Sequence, residues 1–148
     1  MWGIPFSESE ENDMFLGRIN NYLVPTGQAN TVIPVRTITN TNDKVVNKSG
    51  VISFLTNGNF NVDASISVSA EDSQNVTVSI YAEDGERTSV VATIPAAPDG
   101  ETVGVANVSL VDAIKVILTR YRNVANIYIA VDQSDVTVNG YIRIEYVR

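Results

Sequence analysis

Residues 59–70 alternate polar and apolar side chains without a slip, putting Phe60, Val62, Ala64, Ile66 and Val68 on one face and Asn59, Asn61, Asp63, Ser65, Ser67 and Ser69 on the other. A strand with one wet and one buried face requires this pattern, because a slip of one residue would turn every apolar group to water. The same period of two returns at Val76, Val78 and Ile80, and again at Val136, Val138, Ile142 and Ile144. The reading is all-β: an antiparallel jelly-roll β-sandwich. Strands are expected near 31–38, 44–47, 51–56, 59–70, 75–82, 88–94, 102–110, 113–121, 125–132 and 136–147. Asn57-Gly58 and Asp84-Gly85 mark tight hairpins, and Pro95 to Gly100 a longer corner. Short strands at this spacing suit two packed sheets and leave no room for crossover helices. Over 111–118 a helix competes with a strand, and the density of β-branched residues favours the strand.

Residues 1–30 differ in kind. Trp2, Ile4 and Phe6 precede an acidic run, and then Phe15, Ile19, Tyr22 and Leu23 follow at i, i+4, i+7 and i+8. That spacing predicts one face of a helix, capped by Ser7 or Ser9 and weakened by Gly17. The expectation is a short extended or helical arm with its linker over 1–30, ahead of a head domain over 31–148. Six apolar groups (Trp2, Ile4, Phe6, Phe15, Ile19 and Tyr22) are too many for a free tail. Either the arm folds back on its own body, or it docks into a larger assembly as an anchor over 1–23.

Composition narrows the chemistry. The chain of 148 residues has neither cysteine nor histidine and a net charge of −7. Thiolate chemistry and histidine proton transfer are therefore excluded. Eight acids face one base over 59–111. An acidic chain without a basic stripe argues against nucleic acid and against an anionic membrane surface. No apolar run reaches the ~18 residues of a membrane helix, and the first residues lack the pattern of a secretion signal. No phosphate loop, nucleophile elbow or metal motif is present, so no catalytic residue, cofactor or metal ligand is assigned. The acids cluster in turns. Asp132 with Asp135, or Glu83 with Asp84 and Glu86, could offer calcium oxygen ligands, but no Asp-x-Asp-x-Asp-Gly loop is present, and hydrated turn acids are the favoured reading. Three Asn-x-Ser/Thr triplets, at Asn47, Asn75 and Asn107, read as chance in strands rich in these residues.

Three stretches carry a family likeness. Residues 54–62 run from a short strand through Asn57-Gly58 to an aromatic two residues after the glycine, Phe60. Residues 108–116 place Leu110 and Asp112 ahead of alternating apolar positions. Residues 138–144 combine Gly140, Tyr141 and Ile142 in a closing strand. In this order they resemble the tumour-necrosis-factor-like jelly roll, the globular head of collagen-type complement proteins, also found at the tips of spore-surface filaments and bacteriophage fibres. The likeness covers about 50–148, with a looser fit over 31–49.

What the resemblance implies is a homotrimer packed through one sheet face. Tyr81, Tyr128 and Tyr141 fall on the phase opposite their strands' core residues and are the seam candidates, the alternative being three amphipathic surface tyrosines. The implied role is a structural virion protein of a bacteriophage: a head fibre, capsid decoration or fibre tip. Its arm would bind a capsid or baseplate protein and its head a host-surface glycan. A lectin-like module, with tyrosines stacking on sugars, and a bacterial surface or spore-filament head are the other readings.

Overall fold

The computed structural model describes residues 13–83, 85–119 and 125–147. Ten strands follow one another, and no helix occurs among these residues. They are β1 (Met14–Leu23), β2 (Arg36–Asn40), β3 (Val45–Lys48), β4 (Val51–Phe54), β5 (Gly58–Ala70), β6 (Gln74–Ala82), β7 (Gly85–Ile94), β8 (Gly104–Val116), β9 (Ala125–Val131) and β10 (Thr137–Val147). Two five-stranded sheets result, in the orders β2-β1-β10-β5-β8 and β3-β4-β9-β6-β7. Every described pairing is antiparallel. The jelly-roll sandwich is thus the observed architecture.

The alternating pattern places the core as read. Phe60, Val62, Ala64, Ile66 and Val68 of β5 are buried, as are Val76, Val78 and Ile80 of β6 and Val138, Ile142 and Ile144 of β10. Each contributes about 1.5–3 kcal/mol of apolar transfer at full burial, less for alanine. At one end Phe54, Phe60 and Tyr146 form an aromatic run, with ring centroids 4.7 and 5.3 Å apart.

Two expectations are corrected. The strand break placed between 110 and 113 does not exist: β8 runs unbroken from Gly104 to Val116 and pairs with β5 at every residue. Asp112 takes an inward phase in the middle of β8, where it would be costly alone. There the guanidinium of Arg87 on β7 reaches it, Nε donating to Oδ2 at 3.1 Å.

The second correction concerns the arm. Residues 14–23 are not helical; they form β1, an interior strand between β2 and β10. Phe15 and Ile19 point inward and are fully buried, and Tyr22 packs against the core. The helix-like spacing has a simple origin. Phe15, Gly17 and Ile19 keep period two, and then a bulge between Ile19 and Tyr22 inserts one residue and resets the phase. An i, i+4, i+7 series follows from a bulged strand as readily as from a helix. Asn21 in the bulge is left-handed, with φ of 46°, and its backbone N–H donates to Asn139 Oδ1 at 2.7 Å. Gly17 serves packing: a Cβ there would lie 2.4 Å from Val35 Cγ1.

Candidate functional site

Side chains that alternate away from the core form two open faces. On the first sheet the register sets Arg18, Tyr141, Ser65 and Ser109 in one cross-strand row, and Leu16, Arg143, Asp63 and Val111 in the next. β10 is the middle strand, so Tyr141 stands near the centre of this face, 47% exposed. Arg18 lies over its ring, 5.7 Å from the centroid. Serines and asparagines of β5 and β8 keep the surface low around it. Arg143 is held by two acids of the same face, Asp63 at 3.3 Å and Glu145 at 3.1 Å, so its charge is spent internally. Leu23, Val105, Val111 and Val147 also share Tyr141's outward phase. These five make up most of the nine large apolar side chains that stand exposed among the described residues.

The second sheet carries a different surface. Tyr81 and Tyr128 are cross-strand partners and stack on each other, with centroids 5.5 Å apart and planes 19° from parallel. Polar chains flank them. Ser53 Oγ donates to Asn126 Oδ1 at 2.6 Å, and Asn126 Nδ2 donates to Glu83 Oε1 at 2.8 Å. The hydroxyl of Ser79 donates to Glu86 Oε2 at 3.0 Å, and Ser89 donates to the same carboxylate.

The three tyrosines expected in one seam are therefore divided. Tyr141 lies on the first sheet, and Tyr81 and Tyr128 on the second, on opposite sides of the sandwich. Alternation tells inward from outward but not which sheet a strand joins, so no local signal could have separated them. Of the expected arm residues, Phe15 and Ile19 are buried in the core and Tyr22 packs against it half-buried, whereas Trp2, Ile4 and Phe6 lie outside the described residues. The body ties down the point where the arm begins. Asp13 accepts from Lys44 Nζ at 3.3 Å, and its carbonyl accepts from Asn42 Nδ2 at 2.9 Å.

The turn acids have local work. Asp132 Oδ1 accepts the backbone N–H of Thr77 at 2.8 Å, and Asp135 Oδ1 accepts the Thr26 hydroxyl at 2.6 Å. Among the described residues no three acids gather closely enough to hold a metal ion. Asp84, of the second calcium candidate, lies outside them.

No protein-family model matches the sequence, and no curated protein does. Among solved structures the chain is similar to murine APRIL, a tumour-necrosis-factor-family jelly roll, with a TM-score of 0.54 over 87% of this chain and 98% of that one. Identity across the match is 6%, so the likeness is one of fold.

Proposed function

We propose that this chain is a homotrimeric structural head of a bacteriophage particle, a head fibre, capsid decoration or fibre tip, associating through the outer face of its first sheet. The observation that carries the threefold seam is the concentration of exposed apolar groups on that face: Tyr141 at its centre, with Leu23, Val105, Val111 and Val147 around it. Exposed apolar groups gathered on one sheet face favour an interaction surface there, and aromatic enrichment belongs to interface cores. The second sheet presents only Val91 among its strongly exposed large apolar groups. The shared jelly-roll fold supports the same reading, since the family resemblance implies trimers. Residues 1–12, rich in acids and carrying Trp2, Ile4 and Phe6, are the proposed anchor to a capsid or baseplate protein. Three arms and three heads would act together through effective concentration.

The test is solution mass by light scattering. The full chain is expected at three times its 16.0 kDa. Tyr141→Arg, which sets a second cation beside Arg18, lowers that mass, whereas Tyr81→Ala leaves it unchanged. A monomeric wild type, or a Tyr81 variant that dissociates while the Tyr141 variant does not, refutes the seam. A photo-crosslinker at position 2, activated in isolated particles, tests the anchor by identifying the protein it reaches.

One observation favours a second reading. The stacked Tyr81 and Tyr128, bordered by Asn126, Glu83 and Glu86, pair aromatic surface with hydrogen-bonding groups, as a lectin-like module would. Loss of glycan binding in Tyr128→Ala with the mass intact would support it.

A further inference from the structure

Arg18 and Arg36 sit directly opposite each other across β1 and β2. Like charges in that position repel, and sheets ordinarily avoid the arrangement. This chain has acids to spare, 17 against 10 bases, yet neither arginine has a carboxylate within 4 Å among the described residues. Lys44, Arg87 and Arg143 have acid partners, whereas Lys48 and Lys115, like Arg18 and Arg36, show no ion pair among the described residues. Arg18 and Arg36 both line one cavity of about 270 Å³. It opens where β2 stops pairing with β1, so Asn20 and Tyr22 line it from β1 and Ser49 from the turn before β4. Arg18 is steadied from its other side by the ring of Tyr141. Arg18, Arg36, Asn20, Tyr22 and Ser49 thus line one recess.

We propose that this recess binds the charged group of an acidic saccharide, a carboxylate or a phosphoryl group, with both arginines donating to its oxygens. Guanidinium forks match planar carboxylates and phosphates in geometry. An oxyanion between them removes the repulsion that the empty pair suffers, and Tyr22 offers apolar surface to the sugar ring. Acidic residues of a protein ligand would leave that aromatic wall and the neighbouring amide unused, so the saccharide is the better fit. The inference rests on the chain acting as a surface-recognition head and names the ligand class of that head. Arg18 lies over Tyr141 of the seam, so the recess sits where that face meets its edge strand β2; mass reads the seam and titration reads the recess, which tells a failure of one from a failure of the other.

The experiment titrates the full chain with sodium glucuronate, glucose 6-phosphate and uncharged glucose, at low and at high salt, by calorimetry. At least one of the two anions is expected to saturate in the millimolar range, more weakly as salt rises, while glucose does not. Saturation by glucuronate alone assigns a carboxylate and by the phosphate ester alone a phosphoryl group; both outcomes support the site. Arg18→Gln and Arg36→Gln are each expected to weaken binding by about tenfold or more, since hydrogen bonds to charged groups are the strong ones. Their unliganded melting temperatures should not fall, because each removes a repulsion; a fold defect would lower them. Failure of both anions to saturate overturns the proposal, as does affinity unchanged in both variants. It is equally overturned if the variants lower the solution mass and leave anion binding intact, because the arginines then serve a neighbouring copy.

Discussion

Replacing Gly140 by alanine tests how the closing strand is built. Gly140 lies in β10, opposite Ile66 on β5 and Ile19 on β1, with φ of 153°. A Cβ added there would lie 2.2 Å from the carbonyl oxygen of Ser65 and 3.0 Å from Ile66 Cα. Both are backbone atoms, so no side chain can swing aside. To clear the oxygen, β10 must move away from β5 by roughly an ångström, at the fourth of eleven consecutive pairs. The unfavourable φ costs an alanine about 1–3 kcal/mol, and forcing an extra carbon into a packed site about 1–3 more. The expected loss is about 4 kcal/mol, which should lower the melting temperature by roughly 8–16 °C for a chain of this size.

Urea unfolding at fixed protein concentration is the assay, since self-association would otherwise shift the midpoint by mass action. With a slope near 2 kcal/mol/M, the midpoint should fall by about 2 M at unchanged slope. Gly100→Ala is the control. Its φ of 84° is unfavourable for alanine too, but nothing lies within 4 Å of the added carbon, so only the conformational cost of ~1 kcal/mol remains. If Gly140→Ala costs no more than Gly100→Ala, the clash is not real and the reasoning fails.

Two further outcomes are expected. A chain beginning at Ala29 lacks β1, and with it the buried Phe15 and Ile19, whose truncation alone costs about 3–5 and 2–5 kcal/mol; its circular dichroism should show loss of the sandwich, whereas a chain beginning at Asp13 folds. The second concerns Lys44, where burial opposes the ammonium charge, but hydrogen bonds and charge from Asp13 and Asp43 outweigh it and raise the pKa above its ordinary 10.5. A raised folded pKa contributes stability in full below the unfolded value and loses it as pH climbs through the folded one. Denaturation midpoints should thus fall above about pH 10.5, and Lys44→Gln should show less of that fall; identical alkaline profiles would refute the pairing.

What could be read from residue order alone divides along a physical line. Alternation is local, so the inward phases of β5, β6 and β10 were plain; Asn57-Gly58 does mark a reversal, but it leads from β4 of the second sheet to β5 of the first and is not the tight hairpin expected, whereas Asp84 lies outside the described residues. Two local patterns misled. The bulge at Asn20 and Asn21 turned a strand's periodicity into a helix's, and it made an interior strand look like a detachable arm. Asp112 fell in the gap between two expected strands because its partner, Arg87, is 25 positions away and on the other sheet. The candidate site was legible only in part. Tyr141 could be named as outward-facing, but which outward side it shares depends on sheet membership, which arises from pairings between distant segments. The Arg18 and Arg36 recess was not seen at all, since nothing near either arginine announces the other.

The strand order also has a consequence for how the chain comes into being. β1 finds its partner in β10, so Met14 waits for Glu145, and β10 separates β1 from β5. Until residues 137–147 have been synthesised, the first sheet has a gap at its centre, with β1 and β5 each showing an unpaired edge and Phe15, Ile19 and Ile66 unprotected. Closing such distant pairs is slow, because the loop must be closed before any contact repays it. An unfinished copy is consequently the form most exposed to sticking to its neighbours. The arrival of β10 thus sets the pace at which a complete first sheet becomes available.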